Sequence, residues 1–252
     1  MKRILGILSV LVVLGAVGYV FFGQEKAATA PATEVSTTEV TQQSSSEEDP
    51  LPDVKTSDWQ LLLVGPDNAL KEDNVKLATL PNGMEVDERI VEPYDQLIEA
   101  ASKAGYNLML VSAYRSVAYQ EQIYNQSIAD IMVQQGVDEA EATKQTKEYF
   151  TVPGHSEHHT GLAIDVVDDA WYNQGGDVLT AAYGKQDSAK WLAQHAREYG
   201  FILRYPEGAE KTTKINYEPW HFRYVGKDSA KYIEEHHLTL EAYLELLKKA
   251  GK

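Results

Sequence analysis

Residues 156–165 read S-E-H-H-T-G-L-A-I-D, and residues 218–221 read E-P-W-H. Pro153, Gly154 and Gly161 bracket His158 and oppose a helix there, so the expectation is a loop running into a strand from Gly161 to Val167. Strand alternation sends Leu162, Ile164 and Val166 one way and Ala163, Asp165 and Val167 the other. Asp165 thus interrupts an apolar strand, where an unpaired carboxylate is costly. A metal ion, an arginine or backbone donors could each compensate it. His221, at the start of another expected strand, reads alone as a structural histidine, and Glu218 alone as a surface carboxylate.

Taken together these residues mean more. His158, Asp165 and His221 offer N, O and N, a three-ligand set that suits a catalytic zinc ion. Glu218 is then free to act as general base and acid. A rival pairing, His155 with His159, has helical spacing, but Glu157 falls in the wrong place for H-E-x-x-H. His155 is read as a loop residue one step from the metal, and His159 as an exposed neighbour of a ligand. His195, His236 and His237 are read as surface or capping residues.

Outward from these segments, Trp59–Val64 is expected as a strand and Val86–Ala104 as an amphipathic helix stopped by Gly105. A strand is expected over Asn107–Ala113. Helices follow over Ser116–Gln135 and Asp138–Tyr149, and over Ser188–Tyr199 with Ser188 as its cap. Phe201–Arg204 and Trp220–Val225 read as strands, Asp228–His236 and Thr239–Lys249 as helices. This mixture suits an α+β domain with an antiparallel sheet under flanking helices.

The chain's 252 residues carry a formal net charge of −15 and no cysteine. The acidity argues against nucleic acid and anionic surfaces as partners. Without cysteine there is no disulfide, thiol nucleophile or lipoprotein anchor, so a transition metal must be held by His and carboxylate. Lys2 and Arg3 precede an uncharged apolar run to Gly23, close to the ~20 residues that cross a bilayer as a helix. Residues 1–23 are read as an uncleaved transmembrane anchor with its N-terminus in the cytoplasm. The alternative is a signal segment cleaved near Ala28-Thr29-Ala30, which would leave the protein secreted. Residues 24–57, rich in Ser, Thr, Glu and Ala, read as a disordered stalk, and 58–252 as the folded domain.

From about Trp59 onward the chain resembles the VanY-type and LdcB/DacB-type D-alanyl carboxypeptidases, zinc peptidases of the hedgehog/D-Ala-D-Ala metallopeptidase fold. The family pattern S-x-H-x-x-G-x-A-x-D is met by Ser156, His158, Gly161, Ala163 and Asp165, and E-x-x-H by Glu218 and His221. Ser112, Tyr114, Arg115 and Ser116 meet an upstream S-x-Y-R-S, with Gln120 following and Ala113 where relatives often carry Gly. The resemblance implies zinc on His158, Asp165 and His221, with Glu218 as catalytic base and acid. It implies that Arg115 faces the substrate's carboxylate or developing oxyanion, and that Gln120 and Ser156 contact substrate. It implies peptidoglycan stem peptides as partners and loss of a terminal D-Ala. The favoured reaction is L,D (tetrapeptide to tripeptide); D,D-carboxypeptidase, endopeptidase and non-catalytic wall-binding readings are the alternatives. A monomer on the extracytoplasmic face of a bacterial cell membrane completes the expectation.

Overall fold

The alternation around Asp165 is realised in a strand buried at all six of its positions. The structure, a computed structural model, describes residues 50–71 and 75–252. The expected anchor (1–23) and the expected stalk up to residue 49 lie outside the described residues. Strands β1 (Leu77–Thr79) and β2 (Glu85–Asp87) form a hairpin, followed by helix α1 (Val91–Lys103) and strand β3 (Leu108–Ser112). Helices α2 (Val117–Gln135) and α3 (Glu139–Thr146) lead to β4 (Ala163–Asp168). The short α4 (Asp169–Tyr172), α5 (Asp187–His195), β5 (Phe201–Leu203) and the short α6 (Glu210–Thr213) follow. Strand β6 (His221–Tyr224) and helices α7 (Lys227–Glu235) and α8 (Leu240–Lys249) complete the chain. The main sheet has the order β3-β4-β6-β5 and is antiparallel throughout. This is the expected α+β class. Among the described residues no helix is long and apolar enough to cross a membrane.

Burial explains the central strand. Ile164 and Val166 pack with Leu97 of α1, Leu192 of α5 and Phe222 of β6. Val167, on the other face, joins Tyr183, Ala189 and Trp220. A third apolar cluster gathers Leu61, Ile202, Val225, Ile233, Tyr243 and Leu247 around α7 and α8. Helix ends follow residue type. Ser116, Asp138 and Thr239 each accept a backbone N–H of the helix that they cap, and Gly136 ends α2 in the left-handed conformation.

Several expectations are corrected. Trp59–Val64 is not a strand: Trp59–Leu61 is a single 3-10 turn, and the Gln60 and Leu62 carbonyls accept from Arg223 instead of from a neighbouring strand. The helix expected from Val86 begins at Val91, because Val86 and Asp87 pair with Ala78 and Leu77 in the hairpin. Asp87 then caps a 3-10 turn over Glu88–Ile90. Ser188 does not cap α5, which starts one residue earlier; its buried hydroxyl donates to Asp168 and accepts from Tyr183. Among the described residues, one compact unit spans Leu51–Lys252. Leu51 and Val54 pack on the C-terminal cluster, and Lys252 Nζ donates to Pro52 O at 2.7 Å.

Candidate metal centre

Ser156 accepts the His158 N–H and starts a 3-10 turn over Glu157–Thr160, which Gly161 ends at φ +67°. This turn, tighter than the expected open loop, delivers His158 beside β4. Asp165 lies in β4, and the β4–β6 register sets it directly across from His221. Glu218 lies just before β6, where its N–H is bound to Tyr205 O and its carbonyl accepts from His221 N. The two segments are thereby joined into one site.

His158, Asp165 and His221 each offer one donor atom, and the three atoms lie within 4.8 Å of one another. All three residues are buried, as is Glu218. His158 Nδ1 is 2.7 Å from the Ala113 carbonyl, which can only accept, so Nδ1 carries a proton. Burial and the nearby Arg115 pull the His158 pKa down to about 4, which leaves Nε2 a bare lone pair. That lone pair sits 3.2 Å from Asp165 Oδ2, acceptor facing acceptor, and has no hydrogen-bond partner. Asp165 Oδ1 likewise lacks a hydrogen bond, although His221 Nδ1 is 3.0 Å away. Acceptors converging in a buried site are what a cation relieves, and N, O, N donors suit zinc.

His221 is oriented from behind. Its Nε2 is 3.4 Å from Glu157 Oε2, so Nε2 is the donor and Nδ1 points at Asp165 and Glu218. Burial alone would lower the His221 pKa, but Asp165 and Glu157 outweigh it and push it up to about 9. Burial, with Asp165 adding to it, pushes the Glu218 pKa up to about 8 against the pull of His221 and Arg115. Glu218 Oε2 lies 3.6 Å from His221 Nδ1. A buried carboxyl with so raised a pKa can take and return a proton near neutrality.

Arg115 is brought to the same cleft. Its Nη1 donates to Gln120 Oε1 at 3.0 Å, its Nη2 is 3.9 Å from Asp165 Oδ2, and its buried Nε has no partner. Gln120 in turn donates to Thr151 O. Gln120 and Ser156 both line the cleft, together with Tyr149, Phe150, Tyr205 and Ile215. Gln120 also orients Arg115, and Ser156 also caps the ligand-bearing turn.

His159 is not the exposed neighbour expected. It is buried; Nδ1 donates to Arg115 O at 2.7 Å and Nε2 accepts from Gly154 N at 3.1 Å. The turn over Glu157–Thr160 places both histidines inward. Glu157, Arg204 and Arg223, none of them expected as site residues, are all buried and joined in one ion network. Arg204 and Arg223 carry the same signal as Asp165, since each is a charge in or beside an apolar strand and needs a partner.

Comparison with known proteins bears on these residues. The family model "VanY: D-alanyl-D-alanine carboxypeptidase" matches residues 83–227, a span that holds Arg115 and all four of the metal-centre residues. The chain belongs to the VanY family. The protein described as "Putative carboxypeptidase YodJ" of Bacillus subtilis (strain 168) is 41% identical over 153 residues, covering 61% of this chain and 51% of YodJ. The chain thus spans about half the length of that relative. The solved structure of a mutant of the vancomycin resistance D,D-pentapeptidase VanY from the VanB-type resistance cassette, in complex with Zn(II), is 34% identical. It superimposes with a TM-score of 0.65, covering 74% of this chain and 99% of that one. The LdcB LD-carboxypeptidase gives a TM-score of 0.62 at 34% identity, covering 74% of this chain and 86% of its own. A VanY structure that holds Zn(II) accords with the donor set found here.

Proposed function

We propose that this chain is a zinc carboxypeptidase that removes the terminal D-Ala from peptidoglycan stem peptides. The observation that carries this reading is the convergence of His158, Asp165 and His221, with the Glu218 carboxylate 3.6 Å from His221 Nδ1 and Arg115 in the same cleft. Zinc on the three ligands would supply a Lewis acid that polarises the scissile carbonyl and acidifies the attacking water. Glu218 takes the water proton and returns it to the leaving nitrogen, so that the carboxylate ends each turnover as it began. Arg115, a buried cation with an unpartnered Nε, holds the substrate's terminal carboxylate or the oxyanion of the tetrahedral intermediate. Phe150, Tyr205 and Ile215 line the cleft beside these groups.

The proposed stem is the tetrapeptide, cut to a tripeptide by the L,D reaction. Similar likeness to a D,D-pentapeptidase and to an LD-carboxypeptidase makes pentapeptide cleavage the alternative. The apolar run of 1–23 would anchor the enzyme, as a monomer, on the outer face of the membrane, where its substrate is fixed. Separate incubations with tetrapeptide and pentapeptide stems, with products weighed by mass spectrometry, test the reading. Release of alanine from neither stem would overturn it. Glu218→Ala should retain zinc and lose about 10²–10⁴-fold in kcat; an active Glu218→Ala enzyme would remove Glu218 from its role.

A further inference from the structure

Glu157 takes no part in the chemistry above, yet it is among the most buried charges in the described chain. Its Oε1 accepts from Arg204 Nε at 2.7 Å and from Arg223 Nη1 at 2.8 Å. Its Oε2 is left to face His221 Nε2 at 3.4 Å. The two arginines reach further. Arg223 Nη2 donates to the carbonyls of Gln60 and Leu62 at 3.2 and 2.6 Å. Arg204 donates twice to Glu241 of α8, at 3.1 and 2.7 Å. Glu157 and Glu241 balance the charge of Arg204 and Arg223.

A buried ion network is a poor device for stability alone, since apolar residues of similar volume often serve as well or better. This one ends on a metal-site histidine. The two histidines of that site are also held differently: His158 by a backbone carbonyl and His221 by a carboxylate. We propose that Glu157 is a positioning residue for the metal centre: clamped by Arg204 and Arg223, it holds His221 through Nε2 so that Nδ1 faces His158 and Asp165. The carboxylate fixes the tautomer and raises the ligand's donor strength, the task of an outer partner to a metal-bound histidine. Through the same clamp, the start of the folded unit and α8 are tied to the ring of His221.

The inference rests on the zinc reading of the site and is independent of which stem is cleaved. The test strips metal from the full chain and titrates Zn(II) against a chromophoric chelator, with thermal midpoints recorded alongside. E157Q should weaken zinc affinity by about 10–100-fold. E241Q removes a charge from the same network without touching His221 and should bind zinc within about twofold of the unaltered chain. Equal affinity in E157Q and the unaltered chain would overturn the proposal, and so would equal weakening in E157Q and E241Q, which would mark a general loss of stability. Should E157Q fail to fold, the charge-balanced E157Q/R223M variant replaces it, with the same weakening expected. An unaltered chain that binds no zinc would overturn the metal reading itself, a result distinct from failure of the Glu157 proposal alone.

Discussion

Glu157 and Glu218 are both buried glutamates beside His221, yet their surroundings shift their proton affinities in opposite directions. Burial disfavours both carboxylates. Around Glu157, Arg204, Arg223 and His221 reverse that penalty and hold its pKa well below the usual range. Around Glu218, burial wins and the pKa rises to about 8. One is fixed as an anion; the other is pushed toward its protonated form. Arg115 invites a sharper test at the same scale. Arg115→Lys keeps the charge but loses the fork that reaches Gln120 and the free Nε. Loss of a charged hydrogen bond of about 1.5–3 kcal/mol predicts a fall of about 10–100-fold in kcat/KM, with little change in thermal midpoint. Steady-state kinetics beside a melting curve checks this: a lowered midpoint with unchanged kcat/KM would make Arg115 a structural residue. At this scale the sequence was highly legible. Asp165 stood out because alternation placed a carboxylate among apolar neighbours. Arg204 and Arg223 carried the same signal, but their partner, Glu157, lies too far away in sequence to be paired with them by inspection.

Elements were legible where their signals are local. Ser116, Asp138, Thr239 and Gly136 mark helix ends by side-chain and backbone chemistry that acts within a few residues. The segment from Val86 failed because its helical periodicity was overridden by pairing with Leu77 and Ala78. The turn that carries His158 shows how tightly elements are joined at the site. Gly161 sits at φ +67°, its carbonyl accepts from Asp87 N at 3.0 Å, and an added Cβ would lie 2.7 Å from that nitrogen. Gly161→Ala is therefore expected to cost about 2–4 kcal/mol, from left-handed strain and from displacement of the hairpin. Urea unfolding measures the cost. A change under about 0.5 kcal/mol, the range of ordinary surface substitutions, would show that the hairpin yields without penalty.

At the scale of the whole molecule, the C-terminal helices complete the core on which the start of the folded unit packs. Leu247, fully buried beside Leu61, Ile202 and Val225, should lose about 2–5 kcal/mol on replacement by Ala, read from denaturant unfolding. Metal stabilises the same unit by mass action. At zinc a thousandfold above its Kd, linkage gives about 4 kcal/mol. For a domain of this size that corresponds to a fall of about 8–16 °C in thermal midpoint on chelation. A midpoint indifferent to chelator would show that the His158–Asp165–His221 cluster holds no metal.

By itself the sequence determined the donors, their spacing and the alternation that turns Asp165 away from the Ile164 face, because these depend on side-chain chemistry and on backbone geometry a few residues long. It also determined the α+β class, through periodicities that switch between strand and helix. Only the tertiary structure decided that Asp165 lies across from His221, that Ala113 and Glu157 orient the two histidines, and that Arg204 and Arg223 meet on one carboxylate. Those contacts join segments far apart in the chain. They are selected by the register of an antiparallel sheet and by the need to pair every buried charge, conditions that apply only once the chain has closed on itself.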